Sequence, residues 1–153
     1  MTKMRAASFA TRGFAVKVGD AIPSAKVSMV SSDASGAFEH KQVDTAEYFE
    51  NRNIVLVGFP GPFTGVCTAT HIPEYIEAAK EIKARGADEI VCMSLSDPFV
   101  LKVFAEHLGG KQNVNYLADG NGDFTKALGV EVDLSAALLS TRNKRFSMII
   151  KSN

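Results

Sequence analysis

Ile54-Val-Leu-Val-Gly-Phe-Pro-Gly-Pro-Phe-Thr-Gly-Val-Cys67 is the stretch that decides the fold. Its first half is a continuous apolar run with β-branched residues, bounded by Asn53 and Pro60. Such a run reads as a strand buried on both faces, as in a parallel or mixed sheet. Its second half is a Gly/Pro loop. A helix is expected to follow, from about Cys67 to Arg85, because Ile72, Tyr75, Ile76, Ala79 and Ile82 recur at helical spacing. Gly86 stands where a C-terminal cap belongs. Pro73 falls inside this helix and should kink it near its first turns, since it removes one backbone donor.

Outward from this unit the same grammar repeats. Lys26–Val30 reads as a short strand and Ser31–Gly36 as a polar loop. Glu89–Leu95 reads as a second core strand. Ser96-Asp97-Pro98 supplies an N-cap and a proline suited to a first helical turn, and that helix runs to Leu108 before Gly109-Gly110. Val114–Ala118 is a third strand, Asp119–Gly122 a turn, Asp123–Leu128 a short helix ending at Gly129, and Arg145–Lys151 a fourth strand. Strands alternating with helices give an α/β fold, a central sheet with helices packed on it.

Size and charge set the class. The chain has 153 residues, 46% of them hydrophobic and 22% charged, enough for one domain with a core. Lys+Arg and Asp+Glu are both 17, so no net field favours nucleic acid or an anionic membrane as the main partner. The longest apolar run is too short to span a bilayer. Two cysteines are fewer than a small secreted scaffold carries, which points to an intracellular protein. Residues 1–17 read as a leader and 18–153 as the domain. No acidic residue precedes Asp20, while Lys3, Arg5, Arg12 and Lys17 alternate with small, hydroxyl and apolar residues. That is the composition of a mitochondrial presequence. The plainer reading is an unstructured leader on a cytoplasmic protein.

Cys67 stands just after a strand-to-helix loop. Unpaired N–H groups and the macrodipole at a helix N-terminus favour an anion, and the thiolate is the nucleophilic form of cysteine. The loop's glycines let backbone approach a small ligand closely. Thr64, three residues earlier, can turn its hydroxyl toward the sulfur or a bound oxygen. Local physics leaves the alternative that Cys67 is a buried structural thiol.

Pro60-x-x-x-Thr64-x-x-Cys67 matches the active-site signature of the peroxiredoxins. The wider run Pro60-Gly-Pro-Phe-Thr-Gly-Val-Cys-Thr-Ala-Thr-His-Ile-Pro73 resembles the peroxiredoxin 5 and plant type II branch, and its Thr-Gly-Val-Cys version is especially similar to plant mitochondrial members. The likeness continues in Val91–Phe99, Ala118–Phe124, Asp133–Leu139 and Lys144–Met148, and covers most of Val18 to Lys151. It implies a thioredoxin-like fold and a thiol peroxidase acting on hydrogen peroxide and small alkyl hydroperoxides. It implies Cys67 as the peroxidatic cysteine, Thr64 and Arg145 as its activating partners, and Pro60 as the shield of the pocket. Without the resemblance, Arg145 reads as a solvated charge in the run Arg142-Asn-Lys-Arg145. No cofactor or metal is implied. The reductant would be glutaredoxin with glutathione, or thioredoxin, and the protein a homodimer.

Plant type II members carry a second cysteine at the position of Cys92. The resemblance thus implies a resolving thiol there, while its place in a core strand favours a plain core side chain, since a disulfide needs Cα atoms within about 7 Å. Both readings stand. His71, four residues after Cys67, lacks the further ligands a zinc site needs and is expected to pack beside the active site. Asp119, Asn121 and Asp123 resemble a calcium loop only faintly, because position 130 is Val130 where a Glu ligand belongs. Gly65 replaces the proline common after the active-site threonine, which should loosen the loop. Relatives usually continue beyond the Phe146 strand with another strand and a closing helix, so the C-terminal part is expected to be truncated.

Two other functions fit parts of the pattern. A dithiol oxidoreductase would want Cys-x-x-Cys, where this chain has Cys67-Thr-Ala-Thr70. A redox sensor or chaperone-like binding protein would need the cysteine without the full set of Pro60, Thr64 and Arg145.

Overall fold

The computed structural model describes residues 15–111 and 113–151. A six-stranded sheet runs through it in the order β2-β1-β5-β4-β3-β8, formed by β1 (Lys26–Ser32), β2 (Phe38–Asp44), β3 (Ile54–Gly58), β4 (Glu89–Ser94), β5 (Asn115–Ala118) and β8 (Phe146–Ile150). The central β3–β4 and β4–β5 pairs are parallel, and the β1–β2, β1–β5 and β3–β8 pairs are antiparallel. This is the mixed sheet of a thioredoxin-like fold. The helices are α1 (Thr45–Phe49), α2 (Ile72–Ala84), α3 (Pro98–Leu108) and α4 (Asp123–Leu128). A small ribbon of β6 (Glu131–Asp133) and β7 (Thr141–Asn143) stands apart from the main sheet.

The buried strands point successive side chains to opposite faces, and each face builds its own core. Val57, Cys92 and Tyr116 pack with Ile72 and Ala79 of α2 and Leu101 and Phe104 of α3. Leu56, Val91, Met93 and Leu117 pack with Phe49 of α1 and Phe124 and Leu128 of α4. All six residues of β4 are buried, as expected of a central parallel strand.

The predicted elements are present, with shifted boundaries. β1 extends to Ser32, through residues that read as loop, because the edge strand β2 pairs along its whole length, Ser32 with Phe38 and Lys26 with Asp44. β2 itself has no apolar alternation to announce it: four of its seven residues are exposed. The domain's contacts begin before Val18. Val16 N–H donates to Leu128 O at 3.2 Å and its side chain packs on the core formed with Phe49, Phe124 and Leu128, so the fold takes in residues that read as leader. Residues 1–14, which hold most of the predicted presequence, lie outside the described residues.

The expected helix from Cys67 to Arg85 forms without a break, in two stretches of different winding. Cys67–His71 form a π turn, closed by Ile72 N–H donating to Cys67 O, and α2 begins at Ile72. Pro73 sits in the first turn of α2, where a missing N–H costs least. The irregularity predicted at Pro73 therefore takes the form of a wide turn just before it, a feature found often at functional sites.

Candidate active site

The site lies at the C-terminal ends of the central parallel strands. Phe59 N–H donates to Met93 O at 3.0 Å, prolonging the β3–β4 pairing by one residue before the chain turns away. Phe63 then takes a left-handed backbone, φ 58°, a strained geometry for an aromatic residue. Its ring meets Phe104 edge-on at 5.2 Å and His107 at 5.7 Å, which ties the loop to α3. Thr64 Oγ1 donates to Gly61 O at 2.7 Å, and Thr64 O accepts from Thr68 N–H at 3.0 Å. Thr64 thus closes the loop and opens the first helical turn, on which Cys67 lies. Cys67 is 2% exposed.

Arg145 reaches this turn from the segment before β8. Its Nη2 lies 3.3 Å from Cys67 Sγ, and its Nε lies 3.3 Å from His71 Nδ1. A guanidinium is a permanent cation with donors only, so Cys67 Sγ is the acceptor in this contact. The structure therefore brings Pro60, Thr64, Cys67 and Arg145 to one place. Cys92 lies on the same core face as Cys67, but in mid-strand with no exposed surface, and burial pushes its thiol well above the ordinary range.

Two residues that sequence reasoning passed over complete the site. Arg142 Nη1 donates to Pro60 O at 3.3 Å, and its Nε donates to Leu139 O at 2.7 Å. It ties the active-site loop to the segment that carries Arg145. Asn143 is fully buried, and its Oδ1 accepts from Leu95 N–H at 2.8 Å. It anchors that segment to the end of β4. The basic run offered a signal for Arg142, but the charge pattern alone reads as solvated. Asp119 is buried and accepts from Phe124 N–H, Thr125 N–H and the Thr125 hydroxyl, so its carboxylate is committed to starting α4. Among the described residues no group of three or more His, Cys, Asp or Glu side chains is placed to hold a metal ion.

A cysteine at a helix start, an arginine on its sulfur and a thioredoxin-like sheet beneath are the features of a thiol-redox protein. The family model Redoxin matches residues 17–153, and the chain belongs to that family. Peroxiredoxin-2B of Arabidopsis thaliana is 36% identical over 88% of this chain and 81% of its own length. The mitochondrial peroxiredoxin-2F of Oryza sativa subsp. japonica is 38% identical over 95% of this chain and 76% of its own. The reduced Prx3 of Vibrio vulnificus, solved with hydrogen peroxide, superposes with a TM-score of 0.79 at 33% identity, covering 90% of this chain and 82% of its own. Within the family this chain is a peroxiredoxin, a thiol-dependent peroxidase similar to the plant type II proteins.

Proposed function

We propose that Cys67 is the peroxidatic cysteine, that Arg145 and Thr64 activate it, and that hydrogen peroxide and small alkyl hydroperoxides are the substrates. The contact of Arg145 Nη2 with Cys67 Sγ carries this reading. The thiolate attacks the terminal peroxide oxygen. The O–O bond breaks as the S–O bond forms, and the product alcohol or water takes a proton as it leaves. Cys67 becomes a sulfenic acid. Negative charge grows on the departing oxygen, and the fork of Arg145 is a preorganised donor set beside it. Thr64 has committed its hydroxyl proton to Gly61 O, so its oxygen is free to accept from the hydroperoxide O–H and fix the attack line. Pro60, its carbonyl held by Arg142, shields the sulfur from water.

An external thiol then reduces the sulfenic acid, through glutaredoxin with glutathione or through thioredoxin. Cys92 serves as a core side chain in this reading. Its complete burial between β3 and β5 is the supporting observation, since pairing with Cys67 would require the π turn to unfold. A homodimer is favoured by exposed apolar side chains around the site: Phe63 and Val66 on its loop, Phe99 and Val103 on α3, and Leu138 before Arg142. A mitochondrial location rests on the acid-free N-terminus and on the relative that bears that address.

The test is peroxide consumption with a thiol reductant, comparing the wild type with Cys67→Ser and Cys92→Ser. Turnover lost in the first and kept in the second supports the reading. Turnover that survives Cys67→Ser overturns it.

A further inference from the structure

His71 takes no part in the steps above, yet it is the second partner of Arg145. Cys67 and His71 are the two ends of one π turn, and a single guanidinium spans both, Nη2 on Sγ and Nε on Nδ1, each at 3.3 Å. Guanidinium nitrogens only donate, so Nδ1 must present a lone pair. The contact assigns the neutral tautomer with its proton on Nε2. Arg145 is a long side chain at the surface. One bond through Nη2 would leave its plane free to turn, and the second bond at Nε fixes that plane. The ring of His71 is itself held, edge-on to Tyr75 at 5.8 Å.

We propose that His71 is a positioning residue: its neutral imidazole holds Arg145 against Cys67, and its protonation releases Arg145, so peroxidase activity falls in acid with one proton more than it would without His71. This rests on the role given to Arg145 above. Among the described residues, three groups face the imidazole: Arg145 from the segment before β8, and Glu74 and Tyr75 from α2. Burial and then the Arg145 charge disfavour the imidazolium, while Glu74 opposes them, and His71 stays neutral to lower pH than a free imidazole. Once protonated, Nδ1–H would face the Nε–H of a like charge, and the contact is lost.

The experiment measures the second-order rate of Cys67 oxidation by hydrogen peroxide across the acid range. It compares the wild type with His71→Leu, His71→Asn, Arg145→Gln and the His71→Leu/Arg145→Gln double variant. The side-chain oxygen of Asn can replace Nδ1 as acceptor and does not titrate. At neutral pH, His71→Leu should be about tenfold slower, and His71→Asn should recover to within about threefold of wild type. In acid the wild-type rate should fall with one proton more than that of His71→Asn. His71→Leu should add nothing further to Arg145→Gln, because it acts through that residue. The same proton order in wild type and His71→Asn, or additive losses in the double variant, overturns the proposal; the Asn variant keeps the test valid if the Leu variant folds poorly. Should Arg145→Gln leave the rate unchanged, the role of Arg145 falls and this inference with it. A slow Arg145→Gln beside a fully active His71→Leu overturns the role of His71 alone.

Discussion

Arg145 and Cys67 stand 78 residues apart in the chain, and Nη2 of one lies 3.3 Å from Sγ of the other. Three separate devices produce that contact. The β3–β8 pairing sets Phe146 opposite Gly58, which brings the residue before Phe146 to the end of the strand that feeds the Cys67 loop. Asn143 pins the approach to β8 onto Leu95 N–H. Arg142 ties the same segment to Pro60 O. A change in any of the three should reach the sulfur without touching it.

Gly58→Ala tests the first device. A Cβ at Gly58 would lie 2.0 Å from Cε1 of Phe146, so the ring must move and Arg145 with it. We expect a loss of about 1–3 kcal/mol in stability from the overpacking, together with a slower peroxide reaction. Thermal melting and stopped-flow oxidation of the same sample check both.

Gly61→Ala tests the tie between loop and arginine. Its Cβ would lie 2.6 Å from Nη1 of Arg142, which must then leave Pro60 O. The predicted result is a modest stability change and a rate loss of about tenfold, matched by Arg142→Gln, because both free the loop. A loss in one without the other would show that the tie is not what matters.

Cys92→Ala should lower stability, by about 1 kcal/mol or more, because it empties space in a strand with no exposed residue. It should leave the mass of the single-turnover product unchanged: Cys67 gains one oxygen, about 16 Da, as the sulfenic acid. A wild-type product that instead loses two hydrogens, with Cys92→Ala blocking that loss, would establish an intramolecular disulfide.

Acid stability follows from the carboxylates. Asp44 is held below the usual range by the Ser24 hydroxyl, and it also caps α1 through Ala46 N–H. Asp33 is held low first by the Ser35 hydroxyl, as is Asp133 by that of Ser135. Each binds a proton less readily folded than unfolded, so each contributes stability above the ordinary carboxylate value that is lost as pH falls through the lower folded value. Burial lowers the value for His71 as well, and its share is lost as pH drops below that of a free imidazole. Melting temperature against pH should decline first near pH 6.5 and again below about 4. Ser24→Ala should weaken the second decline.

Much of the central architecture was legible in the chain. β3 and β4 announced themselves by continuous apolar runs, and α3 by Asp97, Pro98 and Gly109 at its ends. What escaped reading was held by tertiary contact. β2 exists because β1 offers it a partner, and its charged residues carry no period. The π turn depends on where Cys67 O meets Ile72 N–H, which helical spacing does not encode. At the site, Cys67 was marked by its position after a Gly/Pro loop. Arg145 was singled out by family resemblance, and the same basic run hid Arg142, whose importance lies in one carbonyl 82 residues away.

The measurement closest to the central claim is the rate of Cys67 oxidation by hydrogen peroxide in the wild type and in Arg145→Gln, followed by intact mass. Fast oxidation is expected in the wild type and a loss on the order of 10²–10³-fold in the variant, about 3–4 kcal/mol of transition-state stabilisation. Equal rates in the two proteins, or a wild-type rate no faster than that of a free thiol, would contradict that claim.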